Sequence, residues 1–301
     1  MSKYTIGSDP EMVIMQDGVA KCAIPILDYR DKHNRIDLGN GSSIYYDNAL
    51  SEGTIKPADS PEGLVESFRH LFGHSNLFLK DRKAEIVSLA SVDFTSEELN
   101  KYPAALEFGC NPEADMWEVC MCPPPFCDPA SGFRSAGGHI HIGRKDYKES
   151  DDDAFLMNIE SKINVIRAMD VIVGTALTAM ENDPSAPARK KLYGMAGRAR
   201  YELPYGVEYR TPANGWTAHP EKVKLVFKLS MLALDFALEN QEMLDSKVGL
   251  PYDAIINCIN SGDSKMAMSL IDELPNKGFR NEIVALANLP FNPFVAQNYN
   301  L

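Results

Sequence analysis

The chain has 301 residues and a net charge of −12, because 42 acidic residues outnumber 30 basic ones. Proteins that bind a nucleic-acid backbone usually carry a basic stripe, so we expect no nucleic acid as the main partner. The N-terminus has no apolar signal core, which predicts a cytoplasmic protein. The longest apolar stretch, Leu225 to Leu238, contains Lys228 and Asp235 and therefore predicts a buried helix rather than a membrane span.

The first part of the chain predicts short strands joined by turns. Strands are expected over 3–7, 12–15, 43–47, 85–89 and 106–110. Ser60-Pro61-Glu62 predicts the start of a helix, because serine caps, proline fits the first turn and an early acid suits the helix dipole. The proline-rich stretch 122–134 predicts a loop that leads into a strand carrying His139 and His141.

The second part predicts mainly helices. Ser150 and Asp153 resemble a capping box, and apolar residues then recur at helical spacing as far as Met180, which predicts about eight turns. Another helix is expected from about His219 to Met243, followed by shorter helices and a proline-broken tail. We therefore expect a single domain over 1–301, strand-rich in 1–145 and 193–216, and helical in 150–182 and 217–290.

Strands and helices do not alternate as they do in a βαβ repeat. This pattern favours an α+β fold with a mainly antiparallel sheet and helices packed on its outer face. Several segments also place charged residues two apart, so that they share one face of a strand. These pairs are Asp9 and Glu11, His139 and His141, Arg198 and Arg200, and Glu208 and Arg210. Like charges on one face repel unless cations or an anionic ligand balance them, which favours a metal and phosphate site.

Each group of side chains predicts a part of such a site. The histidine pair has a metal-ligand spacing and is framed by glycines. Oxygen ligands favour magnesium or manganese over zinc. Arginine forks bind phosphate, although ion pairing with Glu202 and Glu208 is the alternative for the arginine cluster. The candidate oxygen ligands are Asp9, Glu11, Glu52 and Glu208, with Asp47 divided between a ligand and a turn residue.

Other patterns are absent or ambiguous in the sequence. There is no P-loop, no dinucleotide-binding glycine motif and no nucleophile elbow, so metals and arginines would have to hold a nucleotide. Six cysteines include a cluster at 110, 120, 122 and 127, whose spacing matches no familiar zinc finger. Reduced thiols are the favoured interpretation, and a zinc site is the alternative.

Taken together, five motifs resemble the phage-type carboxylate–amine ligases, which belong with glutamine synthetase and glutamate–cysteine ligase. The motifs are Gly7-Ser-Asp-Pro-Glu11, Asp47 with Glu52, Gly109-Cys-Asn-Pro-Glu113, Ala136-Gly-Gly-His-Ile-His-Ile-Gly143, and Tyr193-Gly-Met-Ala-Gly-Arg-Ala-Arg200 with Tyr205-Gly-Val-Glu-Tyr-Arg210. They occur in order over roughly the first 216 residues. The chain has Asp9-Pro-Glu11 where glutamate–cysteine ligases carry Glu-x-Glu.

The resemblance implies a curved antiparallel sheet that forms a catalytic funnel around ATP and magnesium, with manganese as a substitute. By analogy, the metal ligands are Asp9, Glu11, Glu52, Glu208 and His139. His139 or His141 would ligate metal or touch phosphate, and Arg210 would steady the transferring phosphoryl group. Arg198, Arg200 and Arg210 would form the nucleotide-binding set, and the catalytic set would be Arg210, Glu208, His139 and His141.

These expectations combine into an ATP-dependent ligase that joins a carboxylate to an amine through an acyl phosphate. Its partners would be small-molecule or peptide substrates, with no membrane involved, in the host cytoplasm if a phage encodes it. One alternative is a metal-dependent hydrolase that uses His139 and His141. The other is a phage protein that keeps the fold without catalysis.

Overall fold

The computed structural model describes residues 3–107, 112–124, 128, 131–145 and 155–301. Its strands are β1 (Tyr4–Ser8), β2 (Glu11–Gln16), β3 (Val19–Lys21), β4 (Ile36–Gly39), β5 (Ser42–Asp47), β6 (Leu50–Thr54), β7 (Ala84–Val87), β8 (Ser91–Asp93), β9 (Glu113–Asp115), β10 (Cys120–Cys122), β11 (Phe133–Ser135), β12 (Ile140–Arg144), β13 (Arg198–Leu203) and β14 (Gly206–Tyr209). Every strand pair among them is antiparallel.

Helices fill most of the second part of the chain. They are α1 (Ala23–Ile26), α2 (Pro61–Lys80), α3 (Ser96–Leu99), α4 (Ile159–Met169), α5 (Thr175–Ala179), α6 (Ala186–Arg189), α7 (Pro220–Glu239), α8 (Gln241–Ser246), α9 (Tyr252–Ser261), α10 (Ser264–Leu270), α11 (Arg280–Ala287) and α12 (Val295–Tyr299). A π-helical turn, Asp170–Gly174, joins α4 to α5. The α+β class expected from the sequence is confirmed.

Two sheets dominate the described part of the chain. The first has the strand order β1-β12-β14-β13-β9-β10, and the second has β3-β2-β6-β5-β4 with β7 paired to β2. The chain passes from the first sheet to the second at Asp9-Pro10, between β1 and β2. Backbone bonds continue across this bend, because Gly53 N donates to the Pro10 carbonyl and Ile6 N to the Ala58 carbonyl. The two sheets therefore meet at the bend between β1 and β2.

The first sheet has one apolar face and one charged face, as the period-two pattern predicts. Ile140 pairs with Tyr209 and Ile142 with Val207, and all four side chains are buried in the main hydrophobic core. Helix α4 packs against α7 and against β13 and β14. The histidine and carboxylate side chains between these apolar residues point to the opposite face.

Helix α2 begins as predicted. The Ser60 side chain accepts a hydrogen bond from Gly63 N, and Pro61 and Glu62 follow in the first turn. Its buried face places Phe68 and Phe72 in the core, where Phe68 also meets Trp216 edge to face. The helix packs against β7 and β5 and so covers the second sheet.

Three predicted boundaries differ from the structure. The helix predicted from Ser150 begins at Ile159, where Asn158 caps it; Ser150 and Asp153 lie outside the described residues. The same helix is interrupted by the π-helical turn. The apolar spacing did not indicate this interruption, because one extra residue in a turn leaves that spacing almost unchanged. The helix predicted to reach Met243 ends at Glu239, and α8 follows after Asn240.

A strand was predicted over 106–110, and this prediction is wrong for the residues that the structure describes. Pro103–Leu106 forms a 3-10 turn, for which proline at the first position is well suited, and 108–110 lie outside the described residues. The proline-broken tail also contains a helix that the sequence did not indicate, α12, which packs on α2.

Candidate functional site

Cross-strand register brings the predicted charged residues of the first sheet into one row. Gly7 lies beside His141, His141 beside Glu208, and Glu208 beside Arg200 on four successive strands. Arg198 lies on β13 two residues before Arg200, and Arg210 directly follows β14 two residues after Glu208, so both share that face. The alternation seen in the sequence thus becomes a continuous charged surface.

Asp9, His141 and Glu208 form the first acidic group, in which one potential ligand atom from each residue lies within 4.8 Å of the others. His141 Nε2 is 3.1 Å from Asp9 Oδ1, and His139 Nδ1 is 3.2 Å from the same oxygen. Asp9 Oδ1 and His141 Nε2 are buried atoms that make no hydrogen bond of good geometry. Two orphaned ligand atoms that face each other suit a bound cation.

The protonation states of this first acidic group are set by its neighbours. Burial alone would raise the pKa of Asp9, but His141 and His139 outweigh it and hold that pKa below the ordinary value. Burial would likewise raise the pKa of Glu208, and His139 and Arg210 lower it instead. Against the effect of burial, Asp9 and Glu208 raise the pKa of His141. Both carboxylates are therefore ionised at neutral pH.

Glu11, Asp47 and Glu52 form the second acidic group, beside the Asp9-Pro10 bend, again with one oxygen from each within 4.8 Å of the others. Glu11 pairs with Glu52 across β2 and β6, and Tyr45 pairs with Glu52 across β5 and β6. The Tyr45 hydroxyl donates to Glu52 Oε1 at 2.5 Å, and Gly137 N donates to Glu11 Oε2. Three carboxylates and no nitrogen or sulfur ligand form a donor set that fits magnesium or manganese.

Burial and mutual repulsion raise the pKa values of two carboxyl groups in the second acidic group. Burial, followed by the charge of Glu11, raises the pKa of Asp47 to about 6. Burial and the charges of Asp9, Glu11 and Asp47 raise the pKa of Glu52 well above its ordinary value. A divalent cation between these oxygens would reverse the penalty, so the residues present fit such an ion.

Two arginines form ion pairs with Glu208 of the first acidic group. Arg210 donates from Nη1 to Glu208 and from Nε to Glu113 Oε2 at 3.0 Å. Arg200 Nη1 lies 3.5 Å from Glu208 Oε2, so Glu208 is shared by two guanidinium groups and His139. Arg198 is farther out, 3.9 Å from Glu113 and 3.8 Å from Asp115. The ion pairing weighed as the alternative for the arginine cluster is thus present for Glu208.

Both acidic groups and two of these arginines line one cavity of about 360 Å³. That volume is within the range of small-molecule and cofactor sites. Its further walls are Lys32, Arg35, Glu107, Phe133, Arg189, Tyr193 and Tyr205. The Tyr205 hydroxyl lies 2.9 Å from His141 Nδ1 and fixes the imidazole that faces Asp9. The cavity combines oxygen ligands for cations with guanidinium donors for an anion.

Residues 127–254 match the family model described as phage phiEco32-like COOH.NH2 ligase-type 2. This match supports a carboxylate–amine ligase family. It covers less than half of the chain, including His139, His141, Glu208 and Arg198, Arg200 and Arg210, and excludes Asp9 and the acids of β2, β5 and β6. A comparison with curated proteins gives no match.

The structure brings together every residue proposed from the sequence except Arg198, which lies near the cavity but not in its lining. His141, rather than His139, completes the first acidic group, and Asp47 joins Glu11 and Glu52. His139 still contacts Asp9 and Glu208 directly.

Sequence reasoning assigned no role to three residues that contact the acidic groups or Arg210. Glu113 stands in a motif that carried the resemblance, yet it had no assigned role before its contact with Arg210 was seen. Tyr45 lies two residues before Asp47 on the same strand face, a signal that period two could have given. Tyr205 belongs to the turn between β13 and β14, where no spacing rule applies, although it begins the motif that ends at Arg210.

The remaining predictions concern cysteines and membranes. Cys120 and Cys122 are free thiols on β10, whereas Cys110 and Cys127 lie outside the described residues. In the part of the chain that the structure covers, no helix has the length and apolar character needed to cross a bilayer.

Proposed function

We propose that the protein is an ATP-dependent carboxylate–amine ligase that forms an amide or peptide bond through an acyl phosphate. The observation that carries this proposal is the convergence of two acidic groups and a guanidinium cluster in one cavity. Such an arrangement suits phosphoryl transfer, in which catalysis consists mainly of positioning and charge neutralisation. The family match supports the ligase class independently.

Two divalent cations are the proposed cofactors, with magnesium preferred and manganese as a substitute. Asp9, His141 and Glu208 would hold one, and Glu11, Asp47 and Glu52 the other. When bound, the ions neutralise charge on the phosphate oxygens and lower the barrier to transfer. The fit rests on the orphaned Asp9 and His141 atoms and on the raised pKa values of Asp47 and Glu52.

The proposed reaction has two steps. A substrate carboxylate oxygen bonds to the γ-phosphorus of ATP, the bridging P–O bond breaks, and ADP leaves. The amine nitrogen then bonds to the acyl carbon, the C–O bond to phosphate breaks, and the nitrogen gives up a proton to a nearby base. Arg210 and Arg200 face the cavity beside Glu208 and would stabilise the charge on the transferring phosphoryl group.

A coupled assay of ADP release tests this function. Wild-type protein with magnesium, ATP and a panel of carboxylates and amines should release ADP only when a productive pair is present. Glu208→Ala should abolish the activity, because the buried carboxylate shared by His139, Arg200 and Arg210 is lost. Glu202→Ala is the matched control, since Glu202 is an exposed acid on β13. Equal activity in wild type and Glu208→Ala would remove the assignment.

Metal analysis separates the ligase from the metal-dependent hydrolase. A hydrolase built on His139 and His141 should retain tightly bound zinc and cleave substrate without ATP. A ligase should bind ATP only with magnesium or manganese. Carboxylates provide five of the six residues in the two acidic groups, and this oxygen-rich composition favours the ligase. An intact fold that binds no nucleotide would instead favour a non-catalytic protein.

A further inference from the structure

Asp170 is a fully buried carboxylate on the helical side of the first sheet, in the π-helical turn between α4 and α5. Three donors converge on it. Trp117 Nε1 and Gly197 N donate to Oδ2 at 2.7 and 2.5 Å, and the Tyr209 hydroxyl donates to Oδ1 at 2.6 Å. Three short bonds from different segments tie this carboxylate firmly to its surroundings.

Each of the three donors belongs to a segment that carries charged residues of the cavity. Tyr209 is the β14 residue between two of them, Gly197 directly precedes β13, and Trp117 follows β9 by two residues. Because side chains alternate, the donor Tyr209 and its two neighbours point to opposite faces of the sheet. The charged residues with which these strands line the cavity are Glu113, Arg200, Glu208 and, just after β14, Arg210.

The packing around Asp170 leaves little room for movement. A Cβ atom at Gly174 would lie 2.5 Å from the Tyr209 hydroxyl, and one at Gly197 would lie 2.7 Å from Trp117 Cδ1. Gly197 also has a φ of +75°, which favours glycine. Two glycines therefore let the backbone and rings close around the carboxylate. Burial raises the pKa of Asp170 to about 6, so the three hydrogen bonds hold an unfavourable charge in place at neutral pH.

We propose that Asp170 is a positioning residue for the cavity: its carboxylate fixes β9, β13 and β14 relative to one another, so that Glu208 and Arg210 keep their spacing on the opposite face. The proposal depends on the proposed function only for its consequence for turnover. Mutation of a residue that orients functional side chains without contacting the substrate typically lowers activity or metal affinity about 10- to 100-fold. A shift of about 1 Å in the reacting groups costs a comparable factor in rate.

Histidine NMR tests the positioning without any assumption about the reaction. His139 Nδ1 lies 3.4 Å from Glu208 Oε1 and 3.4 Å from Arg210 Nη1, so its ring resonances report on both residues. At a fixed pH of 7.5, Asp170→Asn should shift the resonances of His139 and His141. The resonances of His70 and His74, which lie on α2, should stay in place.

Two further variants make the test decisive. Tyr209→Phe removes one donor and keeps the ring, so it gives the answer if Asp170→Asn does not fold. Asn276→Ala is the matched control, because buried Asn276 donates to the Ile172 carbonyl in the same π-helical turn but to none of the three strands. Unchanged His139 and His141 resonances in folded Asp170→Asn and Tyr209→Phe would overturn the proposal. Equal shifts in Asn276→Ala would overturn it as well.

Kinetics then connect the positioning to the reaction. Asp170→Asn should lower kcat about 10- to 100-fold and change the KM for ATP by less than about threefold, because misplacement affects the transition state more than uniform binding. If wild type releases no ADP, the proposed function fails while the NMR result still decides the role of Asp170. A folded Asp170→Asn with wild-type kcat would overturn the positioning role even in an active ligase.

Discussion

The second acidic group makes a quantitative prediction about Asp47. Burial and the charge of Glu11 raise the pKa of Asp47 from 3.8 to about 6 in the folded protein. A raised carboxyl pKa means that the stability contribution is fully present below the unfolded pKa and is lost as pH rises through 6. Each pKa unit corresponds to about 1.4 kcal/mol, so the ionised Asp47 costs about 2–3 kcal/mol at pH 8 in the absence of a cation.

Asp47→Asn removes this charge with almost no change of shape. In chelator at pH 8, we expect the free energy of unfolding of the variant to exceed that of wild type by about 2–3 kcal/mol. The gain should shrink steadily as pH falls from 6 towards 4. Urea unfolding followed by circular dichroism at several pH values measures it.

Magnesium should reduce this difference in the free energy of unfolding between Asp47→Asn and wild type. A ligand at 100 times its dissociation constant stabilises the protein that binds it by about 2.7 kcal/mol, and wild type should gain more than Asp47→Asn. Asp37→Asn is the control, because Asp37 is an exposed acid on the neighbouring strand β4. The reasoning is refuted if Asp47→Asn is no more stable than wild type at pH 8 in chelator.

Three further substitutions probe the other side of the cavity. Arg210→Lys keeps the charge but loses the fork that reaches Glu113, so kcat/KM in the ADP-release assay should fall about 10- to 100-fold; wild-type kinetics would contradict the role. Tyr205→Phe removes the hydroxyl beside His141, and calorimetric titration should find manganese binding about tenfold weaker, whereas unchanged affinity would exclude the tyrosine as a support. Asp9→Asn should destabilise the protein by about 1–2 kcal/mol at pH 7, because His141 and His139 lower the pKa of Asp9 and the ionised carboxylate therefore stabilises the fold, an effect that fades only as pH falls below the ordinary pKa of aspartate; a variant as stable as wild type in thermal melts at pH 7 would argue against this.

Local rules account for much of the first sheet. Alternation of apolar and charged residues correctly placed His141 and Glu208 on one face and Ile142 and Val207 on the other. The same rule needs no knowledge of register, because each strand carries its own signal. Helix α2 was equally predictable, since Ser60 and the residues after it make a complete N-terminal signature.

Longer-range features could not be read in the same way. The meeting of the two acidic groups depends on the bend at Asp9-Pro10, which is set by pairing with residues far along the chain. The contact of Glu113 with Arg210 depends on strand order, and strand order is a property of the whole sheet. The π-helical turn at Asp170 is hidden for another reason: its apolar neighbours face the core in either helix type.

The position of β1 at the start of the chain affects when the first sheet can form during synthesis. Thr5 and Gly143, which meet across β1 and β12, are 138 residues apart, so β1 leaves the ribosome long before its partner strand exists. Until β12 arrives, β1 has an unpaired edge, and Asp9 lacks both of its imidazole neighbours. Nascent chains that end before β12 should therefore have no working site, and the pairing of β1 with β12 should form late in folding.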